Sequence, residues 1–263
     1  MYLADYIKER LSLEEYSFSI DELQGVTHKE KEALTSDLSY LTKKGDIVPL
    51  RRGFYLIITP RYSKQGKLPI QLYSEKLFKI LGRPYYIGLY SAAKFHGASH
   101  QQIQREYIIT PKPTLLDIHK GAIDLHFFTT AHWPNKNILA KNADAGAFKI
   151  SDPILTAVDL IHHQNKLGGL NRMLSVIEEL MEEMNSSDLQ DLLSWYPHKS
   201  TLQRCGYVLE NLGADHHLTD ILLEYFQSIP YYPVLLSPQS NKKAGSVDNR
   251  WKVDVNIKLE SDI

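Results

Sequence analysis

Residues 46–58 read Asp46-Ile47-Val48-Pro49-Leu50-Arg51-Arg52-Gly53-Phe54-Tyr55-Leu56-Ile57-Ile58, two apolar, β-prone runs on either side of Arg-Arg-Gly. This predicts a hairpin, with Gly53 available for the positive φ that the turn needs. Pro49 has no N–H to give to a ladder, so its strand belongs at a sheet edge. What precedes the hairpin narrows the fold further. Leu3, Tyr6, Ile7 and Leu11 stand at helical spacing over residues 2–11. Ser19 with Glu22 forms a capping box for a short second helix ending near Gly25, and Thr27 with Glu30 forms another a few residues later. The third helix runs to Lys44 and stops at Gly45, a residue suited to the left-handed position beyond a helix end. Leu34, Leu38 and Leu41 make its apolar stripe. Short helix, tight turn, longer helix, hairpin is the order of a winged helix-turn-helix.

The polar side of that third helix and its approach carry His28, Lys29, Lys31, Thr35, Ser36, Ser39 and Lys43, short hydroxyls and long cations that can reach base edges and phosphates. In helix-turn-helix docking the reading residues cluster at the start of the second helix, which ranks His28, Lys29, Lys31, Thr35 and Ser36 ahead of Lys43. Arg51 and Arg52 at the hairpin tip are placed to meet backbone or minor groove. Double-stranded DNA is therefore the expected partner. The electrostatic case is local: the whole chain nets −1, whereas residues 27–61 hold seven cations against four acids. Glu30 and Glu32 work against phosphate contact, and a protein-interaction module is the bland alternative.

Thr59 to Pro69 holds two prolines, a glycine and three cations without apolar period, so a boundary is placed there. The expectation is a winged helix-turn-helix at 1–67 and a larger, helix-rich α+β domain at 68–263. In the larger part, helices are expected at 72–81, 85–96, 170–184, 187–193, 201–212 and 218–228. A further helix is opened by Ser151 as cap with Pro153 in its first turn. Strands are expected at 106–110, 123–128, 148–151, 232–236 and 250–259. With 43% apolar and 23% charged residues the composition is that of a globular chain. No run of 18 apolar residues is present to span a bilayer. The first residues, Met1-Tyr2-Leu3-Ala4-Asp5, lack a basic leader region. One cysteine, Cys205, excludes an internal disulfide. These features suit a cytoplasmic protein without membrane contact.

No catalytic chemistry is expected. His96 and His100 have i,i+4 spacing, but Gly97 ends the helix between them. The adjacent pairs His162-His163 and His216-His217 diverge on a helix. No metal and no cofactor is therefore expected, and Cys205 is expected to be a small buried thiol. Gly245-Ser246 followed by Asp254-Val255-Asn256 has the outline of a nucleotidyltransferase site, but the second carboxylate is an amide, so two metal ions could not be gripped.

Leu41-Thr42-Lys43-Lys44-Gly45-Asp46-Ile47 running into Leu50-Arg51-Arg52-Gly53-Phe54-Tyr55 resembles the amino-terminal domain of AbiEi-type antitoxins. Tyr86-Ile87-Gly88-Leu89-Tyr90-Ser91-Ala92-Ala93-Lys94-Phe95-His96-Gly97 is similar to the block that follows in that family. Ser151-Asp152-Pro153-Ile154-Leu155-Thr156-Ala157-Val158-Asp159-Leu160 resembles its next helix without that helix's arginine. Arg204-Cys205-Gly206-Tyr207-Val208-Leu209 and Asn249-Arg250-Trp251-Lys252-Val253-Asp254-Val255-Asn256 complete the order. The resemblance implies a bacterial abortive-infection antitoxin. It implies repression of its own operon through the winged helix, at an operator with inverted repeats. It also implies antagonism of a separately encoded nucleotidyltransferase toxin, often without a stable complex. The alternative is a transcriptional regulator whose larger domain senses a ligand or mediates assembly.

Overall fold

The computed structural model describes residues 2–98, 104–239 and 242–260. The chain folds into two compact units. The first comprises Met1–Tyr86, Gln104–Thr129 and Ala140–Lys149; the second comprises Ile87–Ile103, Thr130–Leu139 and Ile150–Ile263. The α+β class expected from sequence is what is found. The seam expected at 67/68 falls inside the first unit.

The first unit opens with α1 (Leu3–Ser12), β1 (Ser17–Ser19), α2 (Ile20–Thr27), α3 (Lys31–Lys44), β2 (Ile47–Arg51) and β3 (Phe54–Ile57). The strands make an antiparallel sheet in the order β1-β3-β2, which puts Pro49 on an edge strand as expected. β1 was legible only as an aromatic stretch. Phe18 within it is fully buried, stacked on Tyr55 at 5.4 Å and edge-on to Tyr6 at 5.5 Å. Those rings join Leu3, Leu23, Leu34, Leu38, Ile47 and Ile57 in one core.

The capping box at Ser19 forms: its Oγ accepts from Glu22 N–H at 3.1 Å, and Glu22 Oε2 accepts from Ser19 N–H at 2.7 Å. The second box does not form. α2 continues through Gly25 to Thr27, whose hydroxyl donates to Leu23 O at 2.8 Å and is thereby spent on its own helix. His28 then turns left-handed at φ 55°, and Glu30 caps α3 without a side-chain hydrogen bond. The turn between the helices is residues 28–30. Gly45, at φ 82°, ends α3.

The rest of the chain forms α4 (Ser74–Leu81), β4 (Tyr86–Ile87), α5 (Leu89–Phe95), β5 (Glu106–Pro111), β6 (Ile118–Lys120), β7 (Ile123–Thr130), β8 (Ile138–Ala143), β9 (Gly146–Ser151), α6 (Pro153–His162), α7 (Leu174–Met181), α8 (Ser186–Leu193), α9 (Lys199–Asn211), α10 (His216–Gln227), β10 (Val234–Leu235) and β11 (Val253–Asp254). Within the first unit β6, β7 and β5 lie side by side, and β6 also lies against the edge strand β2 without joining its sheet. Lys76 on α4 reaches Glu22 Oε1 at 2.9 Å, tying α4 to the capping box of α2.

In the second unit α5, α7, α8 and α9 pack around α6. Every residue of α6 from Pro153 to Ile161 is buried, the polar Thr156 and Asp159 among its apolar side chains. Two expectations are corrected here. The segment 85–96 is not one helix: Tyr86–Ile87 is a strand paired in parallel with β9, and Gly88 separates it from α5. The cap of α6 is Asp152 rather than Ser151, since Asp152 Oδ1 accepts from Leu155 N–H at 2.8 Å. The strands expected near the carboxyl end shrink to two residues each, β10 and β11, paired in parallel.

Candidate functional site

Thr35, Ser36, Ser39 and Lys43 all stand exposed on α3, opposite the buried Leu34 and Leu38. Thr35, Ser39 and Lys43 succeed one another every four residues. They form a stripe about 12 Å long at the helical rise of 1.5 Å per residue. Tyr40 stands beside them, 67% exposed, one turn beyond Ser36. Sequence reasoning missed it because a helical tyrosine reads as core. The usable signal was its position off the Leu34/Leu38/Leu41 stripe.

The other candidates sit differently. His28 lies exposed at the end of α2, not on α3. Lys29 lies in the turn with its Nζ 3.3 Å from Asp37 Oδ2, an intramolecular pairing that any phosphate must compete with. Lys31 is the first residue of α3. Lys44 is likewise paired, with Asp46 at 2.8 Å.

Arg51 ends β2, and Arg52 with Gly53 makes the turn into β3, where Arg51 pairs with Phe54. Gly53 takes φ 76°, the conformation for which a glycine is needed. The tip is anchored: Ile20 N–H donates to Gly53 O at 2.8 Å, which ties the turn to the start of α2. Arg52 is exposed. Arg51 is half-buried, and its Nη1 is shielded without a hydrogen-bond partner. Arg52 therefore stands out from a fixed turn, with Arg51 partly buried beside it.

In the second unit two of the sequence blocks meet. His96, closing the Ser91-Ala92-Ala93 block, lies with Nε2 2.8 Å from Ser151 O. Ser151 Oγ is 2.7 Å from Thr156 Oγ1, and Thr156 Oγ1 donates to Asp152 O at 2.6 Å. Asn137 Nδ2 donates to Asp152 Oδ2 at 2.7 Å, and Asn137 Oδ1 accepts from Trp195 Nε1 at 2.8 Å. Burial pushes the Asp152 carboxyl up to about 7. Ser91, Ala92 and Ala93 are buried, and their small side chains let α5 pack closely on α6. These groups tie the His96 block, Asn137 and the start of α6 together.

Three histidines of the second unit also meet. His162 and His198 stack at 4.4 Å, His162 meets His163 edge-on at 4.7 Å, and His162 Nδ1 is 3.1 Å from Thr201 Oγ1. Burial first, then neighbouring positive groups, holds His162 down to about 4 and His163 down to about 3. Both folded values lie below the ordinary 6.5, so this contribution to stability is full above pH 6.5 and is lost as pH falls towards 3–4. Asp152 acts oppositely, holding its proton more tightly in the fold as pH falls below about 7. One histidine kept neutral while the unfolded chain protonates contributes a slope of about 1.4 kcal/mol per pH unit. His163→Gln should remove about that slope between pH 6.5 and 5 in urea unfolding, and an unaltered slope would show that His163 is not held neutral.

His100 lies outside the described residues. Cys205 is buried as expected, and that burial pushes its thiol up to about 12. Asp254 accepts from Gly245 N–H at 2.8 Å, while Asn256 exchanges hydrogen bonds with the backbone of Ser237 at 2.9 Å. Both side chains serve loop structure.

Residues 86–211 match the family model of the AbiEi antitoxin C-terminal domain. No curated protein matches the chain. The crystal structure of the RV2827C protein from Mycobacterium tuberculosis is similar in fold, with a TM-score of 0.65 at 15% sequence identity, covering 94% of this chain and 89% of that one. Among the described residues no helix is long and apolar enough to cross a membrane.

Proposed function

We propose, from the match of residues 86–211 to the AbiEi antitoxin C-terminal domain, that this chain is an antitoxin of that type with two separable tasks. The antitoxin role in a toxin–antitoxin system comes with the family. The finer reading is ours. The elements α2, α3, β2 and β3 act as a winged helix-turn-helix in residues 1–67 that represses the protein's own operon as a cytoplasmic autorepressor. The α+β part, residues 68–263, antagonises a separately encoded nucleotidyltransferase toxin without catalysis of its own.

The observation that carries the DNA reading is the open α3 stripe of Thr35, Ser36, Ser39 and Lys43, beside a three-residue turn and an anchored Arg51-Arg52 tip. A three-residue turn between helices is the spacing of the helix-turn-helix motif. Lys31 opens α3 and His28 and Lys29 lie in the turn, residue types that serve phosphate contact. Asp37 and Asp46 hold two of the local cations, so Arg51 and Arg52 carry the larger share of phosphate attraction.

A second reading, a regulator whose larger domain senses an anionic ligand, draws on a surface cavity of about 410 Å³ lined by Arg204, Lys242 and Lys243. Arg204 Nε there already donates to Leu235 O at 2.7 Å, so part of its capacity is committed. Co-expression with a neighbouring nucleotidyltransferase gene, together with a promoter reporter, separates the readings. The antitoxin should restore growth. The variant Arg51→Ala/Arg52→Ala should still restore growth while releasing the reporter. Loss of both activities in that folded variant would contradict the division of labour, and reporter control without any growth rescue would favour the second reading.

A further inference from the structure

Asp117-x-His119, which leads into β6, and Asp124-x-His126 on β7 lie on the two arms of one hairpin. His119 pairs with Asp124 across the ladder, and residues two apart on a strand share a face. All four side chains therefore gather on one side. His119 Nδ1 is 2.5 Å from Asp124 Oδ1, and His126 Nε2 is 3.0 Å from the same oxygen. The ligand atoms of His119, Asp124 and His126 all lie within 4.8 Å of one another.

The surroundings organise these three groups as a donor set. His126 Nδ1 lies 3.0 Å from Asp117 Oδ2, and Asp117 Oδ1 accepts from Phe127 N–H at 2.9 Å. An imidazole that gives its Nδ1–H to a carboxylate presents a lone pair at Nε2. That Nε2 is shut off from solvent and makes no hydrogen bond, although Asp124 Oδ1 lies close by. Two acceptors facing each other out of line repel unless a cation stands between them. Arg105 Nε, 3.2 Å from Asp124 Oδ2, orients the other carboxylate oxygen and leaves Oδ1 to face the two rings. A carboxylate behind a ligating histidine is the recurrent support of metal-bound imidazole.

We propose that His119, Asp124 and His126 bind one divalent transition-metal ion of the zinc class, with Asp117 and Arg105 as orienting residues and water in the fourth position. Two imidazoles and a carboxylate suit this class of ion. Four-coordinate bonds of about 2.0–2.2 Å set neighbouring donors about 3.4 Å apart, so the His119 ring has to open by about 1 Å. Its side chain is 65% exposed and has room to do so. The bound ion clamps the hairpin that lies against β2, the strand that ends at Arg51. The sequence signal is the repeated Asp-x-His about Gly121, a period of two that belongs to strands rather than to helices.

The test uses the untagged full chain with Co²⁺ as spectroscopic probe and Zn²⁺ as competitor. One equivalent of Co²⁺ should give the visible bands of a low-symmetry site, displaced by Zn²⁺, and Zn²⁺ should raise the melting temperature. His119→Ala/His126→Ala should abolish both effects. Asp117→Asn, which keeps every ligand and the size of the side chain, should weaken binding by about 10–100-fold. Absence of binding by the parent chain, or equal binding by the double variant, overturns the proposal. So does an Asp117→Asn affinity equal to that of the parent.

Discussion

Gly206→Ala is expected to destabilise the second unit by about 3 kcal/mol, near the top of the range for overpacked cores. Gly206 lies on α9, and the Trp251 ring rests on it; a Cβ there would stand 2.6 Å from Trp251 Cη2 and closer still to Cζ3 and Cε3. Trp251 cannot yield. Its side chain is fully buried, its Nε1 donates to Glu210 Oε2, Phe226 meets the ring edge-on at 6.4 Å, and the Arg250 guanidinium covers it at 5.4 Å. At about 2–4 °C per kcal/mol for a unit of this size, the melting temperature should fall by roughly 10 °C. Trp251→Ala should cost about 3–5 kcal/mol by leaving a cavity. In the Trp251→Ala background Gly206→Ala should become nearly neutral, because the clash has gone. Additive losses in this double-mutant cycle would mean that Gly206 matters for another reason.

Arg51→Ala/Arg52→Ala should lower the slope of log affinity against log salt by about 1.8 on the protein's own promoter, since each phosphate contact contributes about 0.9. The anchored turn makes this a test of charge rather than of folding: Ile20 N–H holds Gly53 O, and neither involves an arginine side chain. Arg52→Ala should account for about half of the change. Binding is measured by fluorescence anisotropy at several salt concentrations, with the thermal transition as the folding control. An unaltered slope in a folded double variant removes the hairpin from the DNA interface. β6 lies against β2, the strand that leads into the tip.

The helix-to-hairpin order at the amino end was legible because each signal there is local. Ser19 and Glu22 are three residues apart, Gly45 follows its helix directly, and Gly53 sits in its own turn. Thr27 misled for the same kind of reason. A hydroxyl at a helix end can cap the next helix or bond back to its own, and only the packed geometry chose Leu23 O. Gly88 was read as part of a helix because its neighbours are apolar; pairing of Ile87 with Ile150, sixty-three residues away, made that segment a strand.

Sequence alone determined the composition of the candidate DNA face, the burial expected of Cys205, and the linear order of blocks that resembles antitoxins, because residue type and spacing suffice for these. Tertiary structure decided which of those residues meet. It brought His96 to Ser151, laid Trp251 on Gly206, and set the two Asp-x-His arms face to face. The physical reason is that close packing and cross-strand register join positions far apart in the chain, and no local propensity encodes which partner a side chain will find.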